Sequence, residues 1–163
     1  MTTRNFTLSA VLLALGFVIN SVCPPIFFGL KPDFMLIFLF IIILGMCNFR
    51  LTIVVSLTAG IIVAFTTNFP GGQIPNIIDK AVIGVITYLC IPLLKGKKLY
   101  AQAIYVIFGS FISGLIFLLT ANLFYKLPNE LGKMVFVAIL PLAIVNGLAF
   151  FPMKKMFDTF YNQ

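Results

Sequence analysis

Residues 66–80 read Thr-Thr-Asn-Phe-Pro-Gly-Gly-Gln-Ile-Pro-Asn-Ile-Ile-Asp-Lys and lie between two long apolar runs. Pro70 and the two glycines after it predict a tight turn, because proline presets one backbone dihedral and glycine accepts a positive φ. Asn76 lies three residues before Asp79, a spacing that predicts a helix N-terminus capped by Asn76, with Asp79 reaching back to it. This polar, glycine-rich loop is therefore either a plain connection or a lid over a ligand site.

The composition identifies an integral membrane protein. Apolar residues make up 61% of the 163 residues and charged residues only 9%, whereas a soluble domain carries about 25% charged residues. Residues 34–46 carry no charge at all, and a water-soluble domain of this size has no room to bury so many apolar faces. The three cysteines show no close pairing and predict neither a disulfide nor a metal site: Cys23, Cys47 and Cys90.

Hydropathy predicts an all-α bundle of six helices in one transmembrane domain, residues 1–163. The predicted spans are 6–22, 34–49, 51–66, 77–94, 99–125 and 131–153, with outward loops at 23–33 and 67–76. A full crossing needs about 20 residues, and the second, third and fourth spans are shorter than that. Irregular backbone at membrane depth requires surrounding protein or a water-filled cavity. We therefore expect a cup that opens to one side.

The lysines and arginines set the predicted orientation. With the N-terminus inside, seven of them lie in inner segments and four in outer segments. The inner group is Arg4, Arg50, Lys95, Lys97, Lys98, Lys154 and Lys155, and the outer group is Lys31, Lys80, Lys126 and Lys133. This excess predicts that both termini are cytoplasmic. The net charge of +7 thus orients the chain and does not indicate a nucleic-acid partner. The sequence has no nucleotide-binding loop, so any energy from ATP would come from other chains.

Catalytic groups are scarce, so the sequence does not favour an enzyme. The chain has no histidine, which removes the commonest general base. Of its four acidic residues, Asp158 lies on the inner side and Glu130 in a charged surface loop, which leaves Asp33 and Asp79 near the outer face. This pair resembles that of lipoprotein signal peptidases, and Asn76-Ile-Ile-Asp79 matches their Asn-x-x-Asp spacing. Their second motif, Asn-x-Ala-Asp, is absent. No cofactor is indicated.

A small-molecule carrier fits the charged residues better. An amino acid presents a carboxylate and an ammonium, and burying either of them unpaired is costly. Lys31 or Lys80 could meet the carboxylate, and Asp79 or Asp33 the ammonium. A structural role is the alternative for each, because an aspartate can complement a helix N-terminus and a lysine can reach up to the membrane interface.

The loop itself offers further candidate contacts. Backbone N–H groups around Gly71 and Gly72 could bind an anion in place of a lysine, and Asn68 and Gln73 carry side-chain amides. Phenylalanines in or beside the two outward loops could stack on a flat apolar ligand, although lipid-facing packing is the alternative: Phe27, Phe28, Phe65 and Phe69. Three asparagines lie on otherwise apolar spans, where bonding between helices is favoured over ligand binding: Asn20, Asn122 and Asn146.

Ala10 and Ala14 in the first span are four residues apart and so share one helix face. Small residues at this spacing let another helix approach closely. The pairs Ser56/Gly60 and Ser110/Gly114 show the same spacing, so internal packing is an equally open interpretation.

Two long motifs carry a family resemblance. They are Pro24-Pro25-Ile-Phe-Phe-Gly-Leu-Lys-Pro-Asp33 in the first outer loop and Phe69-Pro-Gly-Gly-Gln-Ile-Pro-Asn-Ile-Ile-Asp-Lys80 in the second. The chain resembles the tryptophan transport protein family of Gram-positive bacteria across nearly its whole length. That family is similar in turn to the S components of energy-coupling factor importers, six-span proteins that bind a nutrient at the outer side. S components work with a transmembrane T component, which contacts an Ala-x-x-x-Ala face, and with two ATPase subunits.

The resemblance implies that tryptophan is the substrate and that the chain lies in the bacterial cytoplasmic membrane. Ala10 and Ala14 match the face that contacts the T component. On this interpretation Asp79 or Asn76 holds the ammonium, and Lys31 or backbone around Gly72 the carboxylate. Phe69 stacks on the indole ring, and Gln73 accepts a hydrogen bond from the indole N–H. The alternatives are a stand-alone carrier driven by an ion gradient and, more distantly, an intramembrane aspartyl peptidase.

Overall fold

The computed structural model describes residues 3–26, 30–46, 48–125 and 131–161, and every regular element in these ranges is a helix. The helices are α1 (Thr3–Val22), α2 (Phe34–Gly45), α3 (Phe49–Thr66), α4 (Gln73–Leu94), α5 (Leu99–Tyr125), α6 (Leu131–Met134) and α7 (Leu140–Tyr161), and a π-helical turn (Val135–Ile139) joins the last two. The all-α prediction is confirmed for the described residues. Several residues considered above lie outside them: Phe27, Phe28, Cys47, Lys126 and Glu130.

Within the described ranges, five helical segments are long and apolar enough to cross a membrane. They are α1, α3, α4, α5 and the continuous segment 132–161. The fourth predicted span is longer than expected, at 22 residues, because its helix begins at Gln73 and includes Pro75 in its first turn. A proline is tolerated there since the first N–H groups of a helix have no intrahelical partner. The predicted outward loop at 67–76 accordingly ends four residues earlier than expected.

The helix in the second predicted span is shorter than expected. It covers 12 residues and ends at Gly45, because the chain reverses at once into α3. Asn48 caps α3 by accepting a hydrogen bond from the Arg50 N–H at 2.9 Å. The prediction that all six segments are membrane spans, and the prediction that both termini are cytoplasmic, remain predictions.

Helix α2 is the centre of the bundle. Its side chains from Met35 to Ile43 are all buried, with at most 6% exposed, and the helix contacts α1, α3, α4, α5 and α7. Its sequence explains this position, because a helix that is apolar on every side has no polar face to offer to solvent. The other long helices therefore pack around α2.

Helices α3 and α4 approach each other closely through small residues. A Cβ atom on Gly60 would lie 2.9 Å from the Ile77 Cα atom, and one on Gly84 would overlap the Ser56 hydroxyl. The Ser56/Gly60 spacing is thus used for internal packing. This contact draws the start of α4 against the end of α3, and it positions the polar residues of the first two turns of α4.

The end of the bundle at which α1 begins and α7 finishes is held by local polar contacts. Arg4 donates a hydrogen bond from Nη2 to the Tyr161 carbonyl oxygen at 2.7 Å and lies over the Tyr161 ring. The Lys154 ammonium pairs with the Asp158 carboxylate one turn later on α7 and lies 5.2 Å from the centre of the Phe157 ring. Both contacts are far from the cavity described next.

Candidate ligand-binding cavity

A polar cavity lies at the opposite end of the bundle. Its lining comes from the last turns of α1 and α3, the first turns of α2 and α4, and the facing sides of α5 and α7. Its mouth is open to solvent, and the space inside it that the centre of a water molecule can occupy is about 100 Å³. Its lining residues are Asn20, Leu30, Lys31, Asp33, Leu36, Val63, Thr67, Asn68, Phe69, Asn76, Asp79, Lys80, Ser110, Ser113, Gly114, Phe117, Ile139, Leu142, Ala143 and Asn146.

The cavity contains a buried network of three charged groups. The Lys80 ammonium lies 2.7 Å from Asp33 Oδ2 and 2.5 Å from Asp79 Oδ2. The side chains of Lys80 and Asp79 are 2% and 1% exposed, and that of Asp33 is 23% exposed. Two carboxylates thus share one ammonium, which leaves the network with a net formal charge of −1. A buried charge without a partner is costly, so this network favours an additional cation.

Asp33 is held rigidly by the start of α2. Its Oδ1 atom caps the helix by accepting a hydrogen bond from the Leu36 N–H at 2.9 Å, the role in which aspartate is strongly preferred. Its own N–H donates to Asn146 Oδ1 on α7 at 3.1 Å. Because one oxygen caps the helix and the other pairs with Lys80, Asp33 is fixed as part of the wall.

Asp79, in contrast, keeps one carboxylate oxygen without a hydrogen bond. Ser113 lies beside this carboxylate, but among the described residues no donor makes a hydrogen bond to Asp79 Oδ1. Asn20 Oδ1 and Ser110 Oγ, which belong to other lining residues, are also buried and unpartnered within that part of the chain. Buried polar atoms in proteins are nearly always hydrogen-bonded, so this cavity has acceptor capacity to spare.

Lys31 lies at the rim of the cavity and is partly exposed. Its ammonium donates a hydrogen bond to the backbone carbonyl oxygen of Asn20 in the last turn of α1. Carbonyl groups in the last turn of a helix have no intrahelical partner, and they attract cations. An ammonium has three donors, so this contact leaves Lys31 able to bind an anion at the mouth.

Two phenylalanine rings form an aromatic wall. Phe69 and Phe117 meet edge to face, with ring centres 5.2 Å apart, and Phe69 is only 6% exposed. Phe65 does not join them, although the sequence suggested an aromatic cluster around both loops. Phe65 is 87% exposed on the outer surface of α3. It lies four residues before Phe69, but α3 ends at Thr66, so the two residues do not share a helix face.

Seven of the ten predicted ligand-contact residues lie around this one cavity: Lys31, Asp33, Asn68, Phe69, Asn76, Asp79 and Lys80. The other three, Gly71, Gly72 and Gln73, lie outside its lining. Gly71 adopts a φ of 73° and packs against the Tyr125 ring. The Gly72 N–H already donates to the Phe69 carbonyl oxygen at 2.9 Å, and Gln73 is exposed.

The predicted helix cap at Asn76 is wrong. Gly72 occupies the cap position of α4, and because glycine has no side chain, no side chain caps this helix. Asn76 lies in the first turn, where its Nδ2 atom donates to the Gly72 carbonyl oxygen at 2.6 Å. The error arises from Pro75, which can either break a helix or begin one. Asn76 as a whole is 5% exposed, and it lines the cavity instead of capping the helix.

Sequence reasoning missed the contribution of α5. Ser110, Ser113, Gly114 and Phe117 recur at the spacing of one helix face, and all four line the cavity. A stripe of small and polar residues on an otherwise apolar helix was the available signal. Asn146, interpreted as a contact between helices, does bond to the start of α2.

A second surface runs along α1 and α3 on the outside of the bundle. Ala10 and Ala14 are exposed there. They line an almost entirely apolar groove together with side chains of both helices: Phe6, Ser9, Leu13, Phe17, Val54, Val55, Thr58, Ile62 and Phe65. The two predicted partner-contact residues therefore share one groove, which is separate from the polar cavity.

Membrane-length helices around a short central one, with a charged cavity at one end, describe a multi-pass membrane protein. Comparison with known proteins identifies the family. The model described as "Tryptophan transporter TrpP" matches residues 2–158, and the chain belongs to that family. Its members are transport proteins, and an enzyme is not indicated. Consistent with this, Lys80 pairs with both carboxylates, whereas an aspartyl peptidase needs two carboxylates free to activate water.

Three relatives carry the description "Probable tryptophan transport protein". The one from Clostridium acetobutylicum is 35% identical over 170 aligned positions, covering 100% of this chain and 99% of the relative. The one from Bacillus subtilis is 37% identical over 150 positions, covering 91% and 87%. The one from Clostridium perfringens is 34% identical over 155 positions, covering 88% and 85%. No solved structure matches the chain.

Proposed function

We propose that this protein binds tryptophan in the polar cavity and serves as the substrate-binding S component of an energy-coupling factor importer. The chain forms one transmembrane domain in the bacterial cytoplasmic membrane, with both termini in the cytoplasm and the cavity facing outward. A T component and two ATPase subunits supply the energy. The observation that carries the proposal is the cavity itself, in which a charged network faces an aromatic wall.

The cavity matches a zwitterionic amino acid in charge. Its four charged side chains, Lys31, Lys80, Asp33 and Asp79, sum to zero, and so does tryptophan. The free Oδ1 atom of Asp79 favours this residue for the ligand ammonium. Since Lys80 is occupied by two carboxylates, Lys31 is the better partner for the ligand carboxylate.

The cavity also offers an aromatic surface for the indole ring. Phe69 and Phe117 present an edge-to-face pair at the cavity wall, and aromatic pairs of this kind contribute about 0.5–1.5 kcal/mol beyond their buried area. The exposed Gln73 is poorly located for the indole N–H. An acceptor inside the cavity is therefore the better partner, and Asn20 or Ser110 can supply one.

The first experiment measures tryptophan binding directly. The chain contains no tryptophan, so light at the red edge of indole absorption excites added tryptophan with little protein background. We expect the purified protein in detergent to cause a saturable rise in anisotropy and a blue shift of emission as tryptophan enters an apolar site. An excess of a tryptophan analogue that does not absorb at this wavelength should reverse both changes. If neither change occurs at micromolar protein, this proposal is wrong for the isolated chain.

The partner surface is tested by uptake. The exposed Ala10 and Ala14 on the α1–α3 groove support docking of a T component helix, because small residues permit close approach. Ala10→Trp should fill the groove and reduce uptake in cells at least about tenfold, while binding of radiolabelled tryptophan to the purified variant stays unchanged.

Val11→Trp is the matched control for that experiment. Val11 is 51% exposed on the same helix but lies outside the groove lining, so a tryptophan there should leave uptake unchanged. Wild-type uptake by Ala10→Trp, or uptake into liposomes that contain no ATPase, would instead favour the stand-alone carrier driven by an ion gradient.

A further inference from the structure

Three buried atoms of the cavity can accept a hydrogen bond and have no partner among the described residues. Five buried side-chain atoms in the described ranges lack a hydrogen-bond partner, and three of them belong to residues that line the cavity. These three are Asn20 Oδ1, Asp79 Oδ1 and Ser110 Oγ. Their residues are 2%, 1% and 5% exposed, so bulk water does not solvate them. They come from three different helices, α1, α4 and α5.

The buried donors of the cavity are largely engaged. The Lys80 ammonium pairs with both Asp33 and Asp79, and the Asn76 side-chain amide donates to the Gly72 carbonyl oxygen. Lys31 retains donors but lies at the partly exposed rim. An interaction with a solvated lysine contributes little free energy, typically about 0–1 kcal/mol.

The charge balance points the same way. The buried network of Lys80 with Asp33 and Asp79 carries a net formal charge of −1, whereas the compensating Lys31 is outside that network, where it bonds the Asn20 carbonyl oxygen. A ligand ammonium would both neutralise the network and fill the acceptor of Asp79. A ligand carboxylate in the same position would add a second uncompensated negative charge.

We propose that the cavity selects its ligand by the primary ammonium and the indole N–H and treats the carboxylate as secondary. It therefore also binds indole ethylamines such as tryptamine. This inference rests on the proposed function and specifies which end of the ligand is recognised. An indole ethylammonium ion offers four N–H donors, three on the ammonium and one on the ring, to the three free acceptors. The carboxylate of tryptophan lies toward Lys31 at the solvated mouth.

Competition against radiolabelled tryptophan tests this directly with two ligands. Tryptamine lacks the carboxylate of tryptophan, and indole-3-propionate lacks its ammonium. Tryptamine retains the ammonium, and we expect it to bind within about tenfold of tryptophan. Indole-3-propionate retains the carboxylate, and we expect at least about 100-fold weaker binding, because it leaves buried charged acceptors unfilled. If indole-3-propionate competes as well as tryptamine, the inference is overturned while the proposed function stands. If tryptophan itself does not bind, the proposed function fails.

A serine pair tests one of the free acceptors. Ser110→Ala removes this acceptor and should weaken tryptamine binding about fivefold to tenfold, and it should weaken indole-3-propionate to the same extent if Ser110 accepts the indole N–H, which both ligands carry. Ser56→Ala is the matched control and should leave both ligands unaffected, because Ser56 is also buried, at 1% against 5% for Ser110, and also unpartnered but packs against Gly84 outside the cavity. Unchanged tryptamine binding in Ser110→Ala would remove Ser110 from the site.

Discussion

Two buried lysines, Lys80 and Lys154, show how differently the two ends of the bundle use the same side chain. Both are almost fully buried, with 1% and 5% exposed. Lys154 pairs with Asp158 one turn along its own helix, and the Asp158 side chain is 45% exposed. Lys80 instead pairs with Asp33 and Asp79, one of which caps a different helix. The first contact is local and balanced, whereas the second joins α2 to α4 and leaves one carboxylate in excess.

The comparison predicts the largest effect for Lys80→Met. This change leaves two carboxylates in the cavity wall without a cation, and breaking a buried ion pair in this way costs about 3–5 kcal/mol. We expect a large fall in the thermal unfolding midpoint in detergent and no tryptophan binding. The double variant Lys80→Met with Asp79→Asn should recover much of the stability but not the binding, because it removes one of the stranded charges.

Lys154→Met is the control at the other end. The Asp158 side chain is 45% exposed, so water solvates it when its partner is removed, and the unfolding midpoint should fall much less than in Lys80→Met. Tryptophan affinity should match that of the wild type. Equal destabilisation by the two lysine substitutions would show that the distinction between the two ends is false.

A smaller effect is expected for the two aspartates of the cavity, and it should differ between them. Asp79→Asn removes the charge next to the free acceptor, and tryptophan binding should weaken at least about tenfold while the protein remains folded. Asp33→Asn should weaken it less, because asparagine also caps helices and Asp33 has no free oxygen. Titration of tryptophan fluorescence measures both. Unchanged affinity in Asp79→Asn would remove Asp79 from the site.

The smallest effect is expected for Asp158→Asn. Its partner Lys154 would retain the Phe157 ring below its ammonium, so affinity for tryptophan should be unchanged and the unfolding midpoint should shift by no more than a few degrees. A clear loss of affinity in this variant would mean that the two ends of the bundle are coupled.

The loop motifs were a good guide to the polar cavity because they are local in sequence. Lys31 with Asp33, and Asn76 with Asp79 and Lys80, stand out as charge and amide groups between apolar runs, and the fold brings both segments to one end. Ligand contact by these residues remains a prediction. The helix boundaries followed hydropathy, except where Pro75 allowed two interpretations, where α2 ends early at Gly45 and where α7 continues to Tyr161.

Ser110 and Ser113 could not be assigned in the same way. Each is a small polar residue in an apolar helix, and such residues serve equally well for packing between helices. Their role depends on how α5 is rotated against α2 and α4, which is decided by tertiary packing at positions far apart in the chain. Gly72 and Gln73 are the converse case, because the Gly72 backbone N–H and the Gln73 amide suggested ligand contact, yet both residues lie outside the cavity lining.

The short central helix has a consequence for how this cavity can change. Twelve residues of α2 are only about 18 Å long, against a hydrocarbon core of about 30 Å. The space at the start of α2, where Asp33 and Leu36 face the cavity, is therefore gained by omitting helical turns and not by removing side-chain volume from the core. Adding a turn at the start of α2 would make the cavity shallower and leave the core contacts below it in place, whereas deleting the first turn would also remove Met35 and Leu36 from the core. The length of α2 is thus a parameter for fitting smaller ligands, available to evolution and to protein engineering alike.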